Sequence, residues 1–243
     1  MITDDNDALS FNFKKFVALF RKPASKPTYV LNLINYKNFA SYRIYGLLIL
    51  PMILLSGGGV TWAGRHIQKI YGEPICKNVL FVRYQSHRLF MLFITNPYML
   101  MVNPFRDRGV EKFEAAFSRT IREEKARKLD AVFVLGIHFN SDEENPILDS
   151  NKALLESFKA REILAIKERY IMDFLTNPKQ NEPNPHTYKV NQFFALEDKE
   201  LPGELDQKLI SLAEGLDQCS VQLYKKANQK HYLPFTSIPE YYK

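Results

Sequence analysis

Three side chains that could bind an anionic oxygen occur in three predicted strands of the first half of the chain. They are the amide of Asn32, the indole of Trp62 and the guanidinium of Arg83. Side chains alternate between the two faces of a strand, so Trp62 is expected to share a face with Val60. If the three side chains lie on the same face of the sheet, the donors converge on an apolar cavity, where they could stabilise a carboxylate or enolate. Each residue also has a structural explanation. Asn32 could satisfy a strand edge, Trp62 could pack in the core, and Arg83 could pair with an acidic residue.

The histidines offer a second chemistry. His66, His87 and His138 have no histidine, cysteine or paired carboxylate at the spacing of metal ligands, so we predict no metal site and no cofactor. His138 lies late in a predicted strand and is a fourth candidate ligand-binding residue. A general base needs a partner that orients it, and the sequence does not identify one.

Residues 44–64 carry no charge, and their structure decides the class of protein. About 20 apolar residues suffice to cross a bilayer. However, Pro51 interrupts the stretch, three glycines follow at 57–59, and residues 60–63 have the character of a strand. We therefore predict a buried helix kinked at Pro51, a glycine turn and a strand, with no membrane span.

Composition favours an ordinary globular protein of 243 residues, with 46% hydrophobic residues and a net charge of +6. Because no basic run interleaved with aromatic residues occurs, we predict no nucleic-acid partner. Cys76 and Cys219 form no disulfide framework or zinc pattern, which fits a reducing compartment. The N-terminus is acidic where a signal peptide would be basic, so a soluble cytoplasmic protein is expected.

The order of predicted elements indicates an α+β fold. Residues 1–27 are predicted to form an amphipathic helix and a linker. Residues 28–125 are predicted to form a ferredoxin-like β-α-β-β-α-β unit, with strands near residues 28–36, 59–66, 77–84 and 112–122. One face of such a sheet is covered by helices, and its other face must be covered as well.

The second half, residues 129–243, is predicted to be a degenerate copy of the first. Strands are expected at residues 131–139, 187–196 and 231–235, and helices at 149–175 and 203–228. This pattern is one strand short of a complete unit. The strand at 131–139 is apolar on both faces, as expected for an interior strand of a joined sheet. We therefore favour an intramolecular pseudo-dimer over a homodimer.

Four motifs of the first half occur in a characteristic order. They are Val30-Leu31-Asn32-Leu33; Tyr42-Arg43-Ile44-Tyr45 with Pro51, Gly57-Gly58 and Gly64-Arg65; Phe81-Val82-Arg83-Tyr84-Gln85-Ser86 with Phe90 and Met91; and Asn96-Pro97-Tyr98 followed by Arg106 and Arg108. Together they resemble a bacterial family of unknown function in the dimeric α/β-barrel superfamily. The resemblance spans residues 29–121 and does not extend to the N-terminal segment or the second half. Relatives in that superfamily include cofactor-free monooxygenases, haem-degrading enzymes, isomerases and ligand binders, so the implied fold constrains function little.

Three hypotheses about function follow. The first is a module that binds a small apolar or acidic ligand between its sheets, with cofactor-free oxygenase or isomerase chemistry as an extension. It predicts a cavity lined by Asn32, Trp62 and Arg83. The second is a non-catalytic interaction or structural protein, in which packed side chains fill those positions. The third is a membrane anchor formed by residues 44–64.

Overall fold

The first half of the chain contains the strands and helices that the sequence predicts, and a further helix before its last strand. The computed structural model describes residues 27–74, 76–123, 130–141, 144–171, 188–197, 203–216 and 218–227. The elements of the first half are β1 (Thr28–Tyr36), α1 (Phe39–Leu55), β2 (Gly59–Tyr71), β3 (Asn78–Tyr84), α2 (His87–Ile94), α3 (Pro97–Gly109) and β4 (Val110–Glu123). The predicted N-terminal helix lies outside the described residues.

The second half repeats this pattern and has all four strands. Its elements are β5 (Phe133–Phe139), α4 (Glu144–Ser157), β6 (Arg161–Ile171), β7 (Val190–Leu196), α5 (Gly203–Glu214) and β8 (Ser220–Lys226). The predicted helix at 149–175 is therefore wrong beyond Ser157, and the strand that the sequence did not locate is β6. The predicted helix at 203–228 likewise ends at Glu214, and β8 follows it. The strand predicted at 231–235 lies outside the described residues.

The eight strands close into one antiparallel barrel in the order β1-β3-β2-β8-β5-β7-β6-β4. Each half contributes four adjacent strands in equivalent order, β4-β1-β3-β2 and β8-β5-β7-β6. The halves join where β2 pairs with β8 and where β4 pairs with β6, and both joints contain register shifts. The α+β fold class is confirmed, and the barrel closes within a single chain.

Local signals in the sequence place the three helices of the first half. The side chain of Asn38 caps α1 by accepting from the amide of Ser41 at 3.2 Å, and that of Ser86 caps α2 by accepting from Leu89 at 3.3 Å. Asn96 caps α3, with Pro97 at its first position. After α1, Gly57 adopts a φ of +64°, which favours glycine. Residues 44–64 thus form a helix, a turn and a strand.

Apolar side chains pack in three layers. One cluster lies between the first-half strands and α1, α2 and α3. A second fills the inside of the barrel, and a third lies between the second-half strands and α4 and α5. Among the described residues, every helix is too short or too polar to cross a bilayer.

Candidate functional site

A cavity of about 70 Å³ lies between the first-half strands and their helices. Its walls are mostly aliphatic and aromatic, and its polar side chains are few: Asn32, Tyr42, Tyr45, Tyr84 and Arg106. One water molecule needs about 10–15 Å³, so the cavity has room for about five, or for a small organic molecule. An apolar pocket with a few polar groups is the usual form of a small-molecule site.

Arg106 is the most unusual of these residues because its side chain is only 2% exposed. Its Nε and Nη2 atoms both donate to Oδ1 of Asp107, at 3.0 and 2.9 Å. The guanidinium carbon lies 5.0 Å from the centre of the Phe113 ring, which favours the cation. Within the described residues, the buried Nη1 atom has no hydrogen-bond partner. This corner of the guanidinium is therefore available to an acceptor.

Two of the three tyrosines in the cavity wall have raised pKa values. Burial raises the pKa of Tyr45 to about 12 and outweighs the opposing effect of the Arg106 guanidinium. Burial, reinforced by the neighbouring Tyr45, raises the pKa of Tyr84 well above its usual value of 10. Both phenols therefore keep their protons at neutral pH and can donate hydrogen bonds.

Asn32 is the one sequence-predicted site residue that lines this cavity. Its amide nitrogen donates to the carbonyl oxygens of Val30 and Leu80, at 3.2 and 3.3 Å. These bonds orient the side chain and leave its amide oxygen as the acceptor. Asn32 therefore satisfies backbone carbonyl groups of the sheet and also presents a polar side chain to the cavity.

Trp62 and Arg83 lie on the other face of the sheet from Asn32. The pairing of β2 with β3 shifts register between Val60 and Trp62, so the two side chains point to opposite faces. Val60 packs under the helices, whereas Trp62 is fully buried inside the barrel. Arg83 is half-buried and pairs in register with Tyr29, whose side chain also lies in the barrel. The expected convergence of Asn32, Trp62 and Arg83 therefore does not form.

His138 lies inside the barrel, on β5, and is fully buried. Its Nδ1 atom is 2.5 Å from Oδ1 of Asn191, and its Nε2 atom is 3.3 Å from the hydroxyl of Tyr224. Since the Asn191 amide nitrogen donates to the carbonyl of Tyr188, its oxygen faces the ring and accepts from Nδ1. Nε2 then accepts from Tyr224, so both ring nitrogens are engaged.

The surroundings keep this histidine neutral. Burial lowers the pKa of His138 to about 4, and the hydrogen bond to Asn191 opposes this only in part. Asn191 is the orienting partner that the sequence did not reveal. It lies 53 residues further along the chain, on the neighbouring strand β7. With its nitrogens engaged and its ring surrounded by Tyr188, Phe193 and Tyr224, His138 acts as a hydrogen-bonded core residue.

Arg106 belongs to the motifs that resemble a family but was not predicted from the sequence as a site residue. A signal was nevertheless present. The buried residues of α3 are Met99, Val102, Arg106 and Gly109, at intervals of three and four. An arginine at a position that the helical period assigns to the core indicates a buried charge with a specific partner.

Comparisons with known proteins show no family for this chain, and two solved structures that it matches have TM-scores below 0.5. No protein-family model and no curated protein matches the chain. A protein of unknown function from Rhodopseudomonas palustris matches 44% of this chain and 91% of its own, with 21% identity and a TM-score of 0.38. An anthrone oxidase-like protein matches 84% of this chain and 92% of its own, with 10% identity and a TM-score of 0.48. At these values the similarities carry no argument about activity.

Proposed function

We propose that this protein binds a small, mostly apolar molecule carrying a carboxylate, enolate or carbonyl oxygen in the cavity beneath α1, α2 and α3. The observation that carries the proposal is the buried Nη1 atom of Arg106, without a partner among the described residues. Leaving a buried donor unsatisfied costs about 1–3 kcal/mol, and more for a charged group. A ligand oxygen at this position would remove that cost.

The remaining groups of the cavity suit the same ligand. The phenols of Tyr45 and Tyr84 supply neutral donors, and the apolar walls would accept a small ring or a short acyl chain. Because Asp107 already offsets much of the Arg106 charge, the site would accept a neutral carbonyl as well as an anion. This binding mode places the ligand between sheet and helices, not between the two sheets as the sequence suggested.

Binding is favoured over base catalysis at this site. Of the charged groups near the cavity, the Asp107 carboxylate accepts two hydrogen bonds from Arg106. The two phenols have pKa values too high for them to act as bases at neutral pH. Oxygenase or isomerase chemistry here would therefore require the ligand itself to supply the reactive group.

Saturation-transfer NMR with benzoate and benzamide tests the proposal, because the probes are similar in size, both carry a carbonyl oxygen, and they differ in charge. We expect both to bind, benzoate more tightly, and Arg106→Met to weaken benzoate roughly 10- to 100-fold, as for loss of a charged hydrogen bond. Arg106→Lys keeps the charge but loses the planar guanidinium with its several donors, so its affinity for benzoate should be intermediate. Arg108→Gln, an exposed change on the same helix, is the matched control.

Circular dichroism and thermal unfolding would show that each variant is folded. The proposal is contradicted if folded Arg106→Met binds benzoate as well as the wild type, or if Arg108→Gln has the same effect as Arg106→Met. Native mass spectrometry of protein purified from its own cell would then identify a retained ligand by its mass.

A further inference from the structure

The two helical layers of the barrel expose very different surfaces. Of the eight large apolar side chains that the described residues expose, six lie on α1, α2 and α3: Ile44, Leu47, Leu55, Leu92, Leu100 and Met101. Neither α4 nor α5 exposes any. The two halves have equivalent helices, so α4 and α5 show how much apolar surface such helices expose when they only face solvent.

Charge differs between the layers in the same way. The helices α1, α2 and α3 contain one acidic residue, Asp107, together with Arg43, Arg88, Arg106 and Arg108. The helices α4 and α5 contain six acidic residues and two lysines. The first-half layer is therefore apolar and cationic, whereas the second is acidic.

The exposed residues of α1 and α3 lie on two adjacent helices that share a basic end. The hydroxyl of Tyr98 donates to the carbonyl of Leu48 at 2.9 Å, which ties α3 to α1. The carbonyl of Gly109, the last residue of α3, accepts from the amides of Lys37 and Asn38 just before α1. The two helices are thus antiparallel, and exposed Arg43 and Arg108 lie at the same end.

We infer that the outer face of α1, α2 and α3, hereafter the apolar face, docks on the surface of an anionic lipid bilayer. Exposed leucine, isoleucine and methionine side chains would enter the boundary between headgroups and acyl chains, and the exposed Arg43 and Arg108 would contact anionic headgroups. Contiguous exposed apolar surface is a mark of an interaction site.

Charge argues for a lipid surface over two other occupants. A second copy of the chain would present the same face, whose single carboxylate, Asp107, is already paired with Arg106. The apolar part of the chain's own N-terminal segment, residues 10–22, contains Lys14, Lys15, Arg21 and Lys22, and the acidic residues of that segment, Asp4, Asp5 and Asp7, precede it. Neither apolar surface carries unpaired anions of its own, whereas an anionic bilayer presents acyl chains and anionic headgroups together.

The docking face also lies directly over the proposed ligand cavity. Ile49 and Ile53 of α1 line the cavity, and Leu47 and Leu55 of the same helix are exposed on the apolar face. Only the thickness of one helix separates the cavity from the outer surface. Docking does not depend on ligand binding, so each proposal can fail without the other.

Co-sedimentation of the full chain with phosphatidylcholine vesicles, with and without phosphatidylglycerol, tests the inference. We expect binding only to the anionic vesicles, weakening as salt is added. The double variant Leu100→Gln, Met101→Gln should bind on the order of tenfold less tightly. Arg43→Gln with Arg108→Gln should cost about fivefold for each charge removed.

Matched controls come from the second half and from an exposed residue off the apolar face. Lys152→Gln with Lys208→Gln removes two charges from the acidic layer, and Val132→Gln removes an exposed apolar side chain elsewhere. Neither should change vesicle binding. All substituted side chains are exposed or half-exposed, so the variants are expected to fold.

Three outcomes would overturn the inference. The first is failure to sediment with either kind of vesicle. The second is binding unchanged by Leu100→Gln, Met101→Gln, which would assign it to another part of the chain. The third is a dimer in analytical ultracentrifugation that this double variant dissociates, which would make the apolar face a contact between copies of the protein.

Discussion

The indole nitrogen of Trp62 donates a hydrogen bond to the carbonyl oxygen of Ala131 at 3.0 Å. Trp62 lies on β2 of the first half, and Ala131 lies just before β5 of the second. The indole also stacks on Phe81 inside the barrel, with ring centres 5.4 Å apart. One side chain thus connects the two halves through both a polar and an apolar contact.

We expect Trp62→Phe to lower the free energy of unfolding by about 2–3 kcal/mol, because it leaves the Ala131 carbonyl unsatisfied and opens a void. Urea denaturation followed by circular dichroism measures this change. Leu92→Ala, at a side chain that is 57% exposed, is the control and should change stability by less than about 0.5 kcal/mol. A similar small effect for Trp62→Phe would show that the connection contributes little.

Gly64 provides a second test of the packing around Trp62. A Cβ atom at Gly64 would lie 2.0 Å from the indole, whereas one at Gly59 on the same strand would meet nothing within 4 Å. Gly64→Ala should therefore destabilise the protein by at least about 1–3 kcal/mol, and Gly59→Ala should be nearly neutral. Thermal unfolding of the pair measures the difference, and equal melting temperatures would contradict the indole position.

His138 predicts how stability depends on pH. Burial lowers its pKa from 6.5 to about 4, so between these values the unfolded chain binds a proton that the folded protein does not. Stability should therefore fall as the pH decreases from 6.5 to about 4, by up to roughly 3 kcal/mol from this group. Above pH 6.5 the histidine is neutral in both states and adds no pH dependence.

Urea denaturation across that pH range, with His138→Gln as the comparison, isolates the effect. The variant keeps a polar side chain between Asn191 and Tyr224 but does not titrate. Its stability should decline less steeply with acid than that of the wild type. Parallel curves for the two proteins would mean that His138 has an ordinary pKa.

The cavity hydroxyls can be tested separately from Arg106. Tyr45→Phe and Tyr84→Phe each remove one donor and keep the ring, so each should weaken benzoate binding roughly threefold to tenfold. Stability should change by less than about 1 kcal/mol. Tyr98→Phe, whose hydroxyl bonds Leu48 away from the cavity, is the control for binding. Unchanged affinity in both cavity variants would place the ligand elsewhere.

Truncation tests the dependence of each half on the other. A fragment ending at Lys128 keeps β1–β4 but loses β8 and β6, the partners of β2 and β4. It would expose two strand edges and the barrel-facing side chains of Trp62 and Phe81. We expect it to dimerise or aggregate in size-exclusion chromatography with light scattering. A folded, monomeric fragment would show that the first half is an independent domain.

The first half could be predicted from sequence because its signals are local. Asn38, Ser86 and Asn96 each cap a helix with their own side chain. The bulge at Val60 and Trp62 could not be predicted, since it depends on pairing with β3. That single extra residue moved Trp62 to the other face of the sheet from Asn32. Arg83 lies on that other face for a different reason, because Asn32 pairs with Leu80 of β3.

The second half was predicted less well because tertiary pairing overrides its local preferences. The strand β6 is rich in charged residues, which favour an exposed helix, but it is paired on both sides, with β4 and β7. The break between α4 and β6 includes Lys159, at a φ of +61°. No glycine or proline marks that turn, so no local signal indicates the end of the helix.

Closure of the barrel within one chain removes a constraint that a symmetric dimer must obey. In a two-fold dimer every substitution occurs twice, so a hydrophobic or charged surface acquired by one subunit appears on the other as well. Here each half carries its own residues, and α1, α2 and α3 differ from α4 and α5 in charge and exposure. The two sides of the molecule can therefore differ, with an apolar surface on one side and an acidic, solvated surface on the other. At an anionic bilayer such a molecule is expected to adopt one preferred orientation, with α1, α2 and α3 against the lipid.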